Sequence, residues 1–278
     1  MARVRIQPGA DAAVAFDNVG LWMPRSQRRG GGGRRHRLRR LAGEVQRSRR
    51  WVLRQASAHV DPGEVVAVIG TRNSGRDSVL RLAAGTLLVD SGRVIRSHPV
   101  VPIISLARCL DRRLTTRQNI YLLGGLLGLT PDRVSQDLEA IVEAAAVRPI
   151  LDKHLSATPT PIRQRLAWQV AMATQARAFA IDQVVSAAAT AVQDQAWNDI
   201  RARATGGSAF LIVSDDERRL LAECTRAWYL EDGELEELDV SAALTRLRLA
   251  RQRGKDDEAI EDEARQEQER DDSDWLDG

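Results

Sequence analysis

The chain has 278 residues, enough to bury a sizeable core, and its 43% hydrophobic and 28% charged residues exclude a mainly disordered protein. No apolar stretch reaches the roughly 18 residues a membrane helix needs, and "MARVRIQPGADAAVAF" has no apolar signal core, so neither a membrane span nor export by that route is expected. The formal charge of +3 conceals a basic block from Arg25 to Arg50 and an acidic one from Asp256 to Asp277.

One domain with tails is the expected organisation: a tail over 1–13, a domain over 14–240, and a charged helix fading into a disordered acidic tail over 241–278. Residues 14 to 22, "VAFDNVGLW", read as an edge strand. "VLRQASAHVDPGEVVAVIG" reads as two strands around the turn Asp61, Pro62, Gly63, so the basic block over 25–50 interrupts a sheet as a long loop. That loop suits a solvated insertion, an anionic membrane surface or transporter contact, or nucleic acid. It has no aromatic interleaving and no sequence-reading motif, which argues against nucleic acid.

A helix is predicted from Gly75 through Ala84, then short strands at "SGRVI" and "VVPIISL", then mainly helix from Arg117 to about Ala146. A further helix starts near Pro161, and the strand "AFAID", the helix around "AVQDQAWNDIRARA", the strand "SAFLIVS" and the helix "DDERRLLAECT" follow in turn. A hairpin "AWYLEDGELEEL" turns at Asp232 and Gly233. Strands alternating with helices imply a mostly parallel, helix-covered sheet. Cys109 and Cys224 lie far apart without metal-ligand spacing and read as free thiols of a reducing compartment, the cytoplasm by default.

The stretch "EVVAVIGTRNSGRDSVLRL" has the outline of a strand, phosphate loop and helix. Gly70, Asn73, Ser74 and Gly75 supply the loop, but Arg76 and Asp77 stand where G-x-x-x-x-G-K-[ST] places lysine and a hydroxyl; Ser78 offers the next hydroxyl. Arginine greatly outnumbers lysine, with Lys153 and Lys255 the only lysines, so general bias accounts for an arginine at 76 without changing its physics.

The order of segments resembles an ABC transporter nucleotide-binding subunit, and more narrowly those exporting bacterial surface polysaccharides of the O-antigen, capsule or teichoic acid type. "LTTRQNIYLLGGLLGLTPDRV" is similar to the family's segment after its glutamine loop, and "RQRLAWQVAMATQARAFAIDQVVSAAATAVQ" to its signature helix, Walker B strand and following loop. The resemblance covers about residues 14 to 240. It implies an α/β fold, a P-loop NTPase-like ABC nucleotide-binding domain with a mostly parallel sheet, an antiparallel β part and a helical subdomain over 103–170. It also implies ATP and Mg²⁺ as cofactors, a membrane permease and a second ABC subunit as partners, and a peripheral place on the inner face of the cell membrane.

Carried onto this sequence, the family's roles fall on altered residues. Asp182 takes the Walker B aspartate's place and, with Asp77, is the candidate for holding Mg²⁺. Gln183 stands at the catalytic glutamate position, and its amide orients a water but cannot take its proton. Asp215 stands at the switch histidine position, exchanging a donor for a charge. Anchored on "RQRLA", the signature aligns with "TPTPI", where Thr160 keeps a hydroxyl and Pro161 replaces glycine, losing an N–H. Ser105 replaces the glutamine of the glutamine loop. Trp22 is the candidate for stacking adenine, or else an anchor of its strand.

The expected function is a degenerate ATP-binding subunit of a glycan exporter, with weak or no hydrolysis and a structural or regulatory role beside a permease. An active ATPase subunit, with Arg76 neutralising phosphate and Gln183 orienting water, is the main alternative. A scaffold outside transport, working through its charged segments, is a third.

Overall fold

The computed structural model describes residues 12–24, 49–71, 73–104, 106–183 and 190–253. Residues 25–48 of the basic block, Ser105 and the acidic block from Asp256 to Asp277 therefore lie outside the described residues.

Strand β1 (Val14–Pro24) pairs antiparallel with β2 (Arg49–Val60), and β4 (Ser91–Arg96) pairs with the other edge of β1 in a three-stranded sheet. Val14 lies opposite Val60 on one side and Arg96 on the other. The expectation of an edge strand at 14–22 is thus corrected: β1 is the middle strand, and β4 is the exposed edge. The polar pair Asp17 and Asn18, which gave β1 an edge-like text, falls where the register shifts between Phe16 and Val19, with Asn18 at a φ of 53°.

The second sheet has six strands in the order β5-β6-β7-β3-β8-β9: β5 (Val100–Ile103), β6 (Ala178–Asp182), β7 (Ala209–Val213), β3 (Val65–Gly70), β8 (Arg226–Glu231) and β9 (Glu234–Leu238). All neighbours are parallel except β8 and β9, which form the hairpin turning at Asp232 and Gly233. β3 is buried along its whole length, as a parallel strand covered on both faces requires.

Alternate residues of β3 enter two apolar layers. Val66 and Val68 join β1, β2 and the helix α1 (Arg76–Ala84) on one face. Val65, Ala67 and Ile69 join the remaining helices on the other. Those helices are α2 (Thr116–Leu126), α3 (Pro131–Ala144), α4 (Thr160–Met172), α5 (Thr190–Thr205), α6 (Glu217–Glu223) and α7 over 240–253.

The strand expected over "VVPIISL" stops at Ile103, and a 3₁₀ turn at Leu106–Cys109 leads into the helical part. Thr115 caps α2 in a reciprocal capping box with Gln118, and the buried Asn119 ties the preceding loop to the helix through the carbonyls of Asp111, Leu114 and Thr115. Among the described residues no helix is long and apolar enough to cross a membrane.

Candidate nucleotide site

The carboxyl ends of β3, β6 and β7 lie side by side, because β7 is inserted between the other two. In open α/β sheets such a crevice is where ligands bind. Gly70 closes β3 and the chain turns, Ser74 N–H donating to the Thr71 carbonyl at 3.0 Å. A Cβ on Gly70 would lie 2.4 Å from Ser74 Oγ and 2.6 Å from the Leu230 carbonyl, so only glycine lets the loop fold back. Gly75 caps α1 at a φ of 102°, and a Cβ there would meet Val52 at 2.2 Å. Ser74 Oγ is buried with no partner among the described residues. The amides opening α1, which a helix leaves without internal acceptors, lie just beyond this turn. Arg50 of β2 fixes the loop from outside by donating to the Asn73 carbonyl.

This cradle fits the phosphates of a nucleotide. The residues meant for the metal and the terminal phosphate do not fit in the same way. Arg76 is 12% exposed, and its guanidinium turns to the Asp215 carboxylate at 3.5 Å. Gln183 donates to the other oxygen of Asp215 at 2.9 Å. Gln183 itself sits at a φ of 58°, its N–H held by the Val213 carbonyl at 2.8 Å, a left-handed backbone that non-glycine residues rarely adopt. Asp182 thus ends β6 as expected and Gln183 follows it, and Arg76, Gln183 and Asp215 form one bonded group.

The charges around it oppose one another. Burial, followed by the nearby Asp77, pushes the Asp182 carboxyl above the ordinary range; Asp215 adds to the rise, while Arg76 and Arg81 act against it. Asp215 is pulled below the ordinary range, first by the Gln183 bond and then by Arg76 and Arg251, against its partial burial. Among the described residues no three His, Cys, Asp or Glu side chains are grouped to hold a metal ion. The charge of Asp77 acts on Asp182, but the two belong to no such group.

Other expected residues fall elsewhere. Ser78 is buried in α1, its hydroxyl 3.9 Å from the Met23 sulfur. Trp22 stacks on Trp51 of β2, ring centroids 3.3 Å apart, so β2 covers one face of the ring. Thr160 and Pro161 open α4, and the Thr160 hydroxyl accepts from Arg163 in the same helix. Arg50 and Arg251 escaped the sequence reading. For Arg251 there was a signal: Val240, Ala243, Leu244 and Leu247 recur at helical spacing and are buried, which docks α7 and carries Arg248 and Arg251 to Glu217 beside the site.

Solved structures with the same arrangement of strands and helices are ABC proteins. An ATP-binding subunit of an ABC transporter superposes with a TM-score of 0.65 at 14% identity, covering 85% of this chain and 94% of its own. A dimeric ATP-binding cassette in a post-hydrolysis state, bound to ADP and Pi, gives 0.64 at 15% identity over 82% and 98%. The fold is that of an ABC ATPase domain.

Sequence relatives of the chain include ABC transporter and export proteins. The O-antigen export system ATP-binding protein RfbB of Klebsiella pneumoniae is 28% identical over 186 residues, 67% of this chain and 76% of RfbB. The ABC transporter protein AbcA of Aeromonas salmonicida is 26% identical over 183 residues, 66% of this chain. The teichoic acids export ATP-binding protein TagH of Lactococcus lactis is 25% identical over 185 residues. The match spans 59% of AbcA and 40% of TagH. No family model matches the chain.

Proposed function

We propose that this ABC domain is a degenerate ATP-binding subunit of a bacterial cell-surface glycan exporter, peripheral on the inner face of the cell membrane, whose role beside a permease and a second ABC subunit is structural or regulatory. The export relatives support the setting. The single observation that carries the loss of catalysis is the group Arg76, Asp215 and Gln183: the residue after Asp182 donates to a carboxylate and has no basic atom with which to take a proton from water. When bound, ATP with Mg²⁺ would supply the phosphoanhydride and its counter-charge. This chain's part is to hold the phosphates at Gly70, Ser74, Gly75 and the start of α1, and Asp182 and Asp77 are the residues that would hold a metal.

The discriminating experiment is steady-state phosphate release by the full chain with its permease, for the wild type and Gln183→Glu. A single carboxylate leaves Asp77 and Asp215 in place and Pro161 where a signature glycine donates, so the variant is expected to stay within about threefold of the wild type's low rate, where an effective general base contributes about 10²-fold or more. Robust turnover in the wild type supports the active-ATPase reading. Turnover in Gln183→Glu alone means that Gln183 by itself silenced the site.

A further inference from the structure

Resting on the nucleotide-site reading, we infer that Asp215 is a specificity-determining residue that fills the terminal phosphate's place, so that the site accepts a nucleoside diphosphate in preference to a triphosphate. Asp215 presents two oxygens to two donors, Arg76 at 3.5 Å and Gln183 at 2.9 Å. On the resemblance, those are the side chains at the lysine and glutamate positions, the first of which reaches the outer phosphates in a phosphate loop and the second of which orients the attacking water. A carboxylate held there satisfies both donors as an anionic phosphate oxygen would.

The cradle for the inner phosphates is untouched by this pairing. Gly70, the turn from Thr71 to Ser74 and Gly75 are shaped by glycine geometry and backbone bonds, not by Asp215. A diphosphate ends within the cradle. A triphosphate continues toward Asp215 and Asp182, and Asp182 already feels the charges of Asp77 and Asp215. To enter, it must displace Asp215 from Arg76 and leave three carboxylates near its own terminal oxygens.

The size of the effect follows from exposure. Asp215 is 55% exposed and Arg76 12%, so water screens one partner and the preference is of order tenfold, not thousandfold.

The test is calorimetric titration of the full chain with ADP and with a non-hydrolysable ATP analogue, each with Mg²⁺ and with a chelator. Wild type, Asp215→Asn and Asp215→Ser are compared, with circular dichroism confirming that each variant is folded. The expected result is ADP bound at least about tenfold tighter than the analogue by the wild type, with the ratio falling to about threefold or less in both variants. A triphosphate bound as tightly as ADP by the wild type, with or without Mg²⁺, overturns the inference, as does a preference that neither variant moves. No binding of either nucleotide to any form overturns the nucleotide-site reading, and this inference with it.

Discussion

Arg76 and Asp77 are neighbours in sequence with opposite fates in the fold. Arg76 is drawn under cover to Asp215, while Asp77 stays exposed at the start of α1. An exposed carboxylate about 4 Å from a phosphate oxygen costs only about 1 kcal/mol, since water separates the charges, against about 4 kcal/mol at an effective dielectric of 20. Asp77→Ser is therefore expected to tighten ATP binding about fivefold and to leave the thermal stability of the domain nearly unchanged. Titration with and without Mg²⁺ reads it. A fall in affinity confined to the Mg²⁺ series would show that Asp77 holds the metal and that repulsion is the wrong account. At this scale the loop glycines, Asp182 and Gln183 were legible in the sequence, because spacing after a buried strand fixes them. The partner of Arg76 was not, because pairing with Asp215 depends on β7 lying between β6 and β3.

Between elements, Arg226 is the joint. At the start of β8 it bonds Glu64 just before β3 at 2.7 Å, Glu237 of β9 at 2.8 Å and the His59 carbonyl of β2 at 2.7 Å, tying the two sheets together away from the nucleotide cradle. His59 and Asp61 border the same group. Burial raises the Glu64 carboxyl, but the bonds from Arg226 and the Asp61 N–H outweigh it and leave the net shift downward from 4.5. A depressed carboxyl contributes stability that is present above its unfolded pKa and lost as the pH falls through its folded one. Arg226→Met is expected to cost about 2–3 kcal/mol at neutral pH, because two half-buried carboxylates lose their cation. The gap to the wild type should narrow as the pH falls below about 4.5 and through the lowered folded pKa of Glu64, where that carboxyl takes up its proton and no longer needs the cation. Urea unfolding across pH checks it, and a constant gap would assign the loss to packing. Most elements were legible from periodicity and turn residues, including the two-residue hairpin. The place of β1 was not, since a bulge at Asp17 and Asn18 gives a middle strand the text of an edge.

At the scale of the whole molecule, charge is divided between two segments of the sequence, most of whose residues lie outside the described ones. The basic block lies between β1 and β2, and the acidic block follows α7, whose Arg251 already acts on Asp215. Opposite charges attract within a Debye length of about 8 Å at physiological salt, and anionic headgroups compete for the same arginines. Deleting residues 256–278 is expected to raise co-sedimentation with phosphatidylserine-containing liposomes severalfold, the gain vanishing at high salt. Unchanged binding would leave both blocks as solvated segments.

The strand order has a consequence for how the protein comes into being on the ribosome. β3 carries the phosphate loop near the start of the chain, yet its two hydrogen-bonded neighbours, β7 and β8, are encoded at 209–213 and 226–231. Until those residues emerge, the loop hangs from a wholly apolar strand with both backbone edges unpaired, and at about 5–20 residues per second that interval lasts many seconds. Such an edge invites pairing with other chains. The strand that delivers Asp215 to Arg76 thus closes one edge of β3 and β8 closes the other, so a nascent chain cut short before residue 226 keeps an unpaired apolar edge beside its phosphate loop, a target for chaperones and proteases rather than a weaker version of the finished subunit.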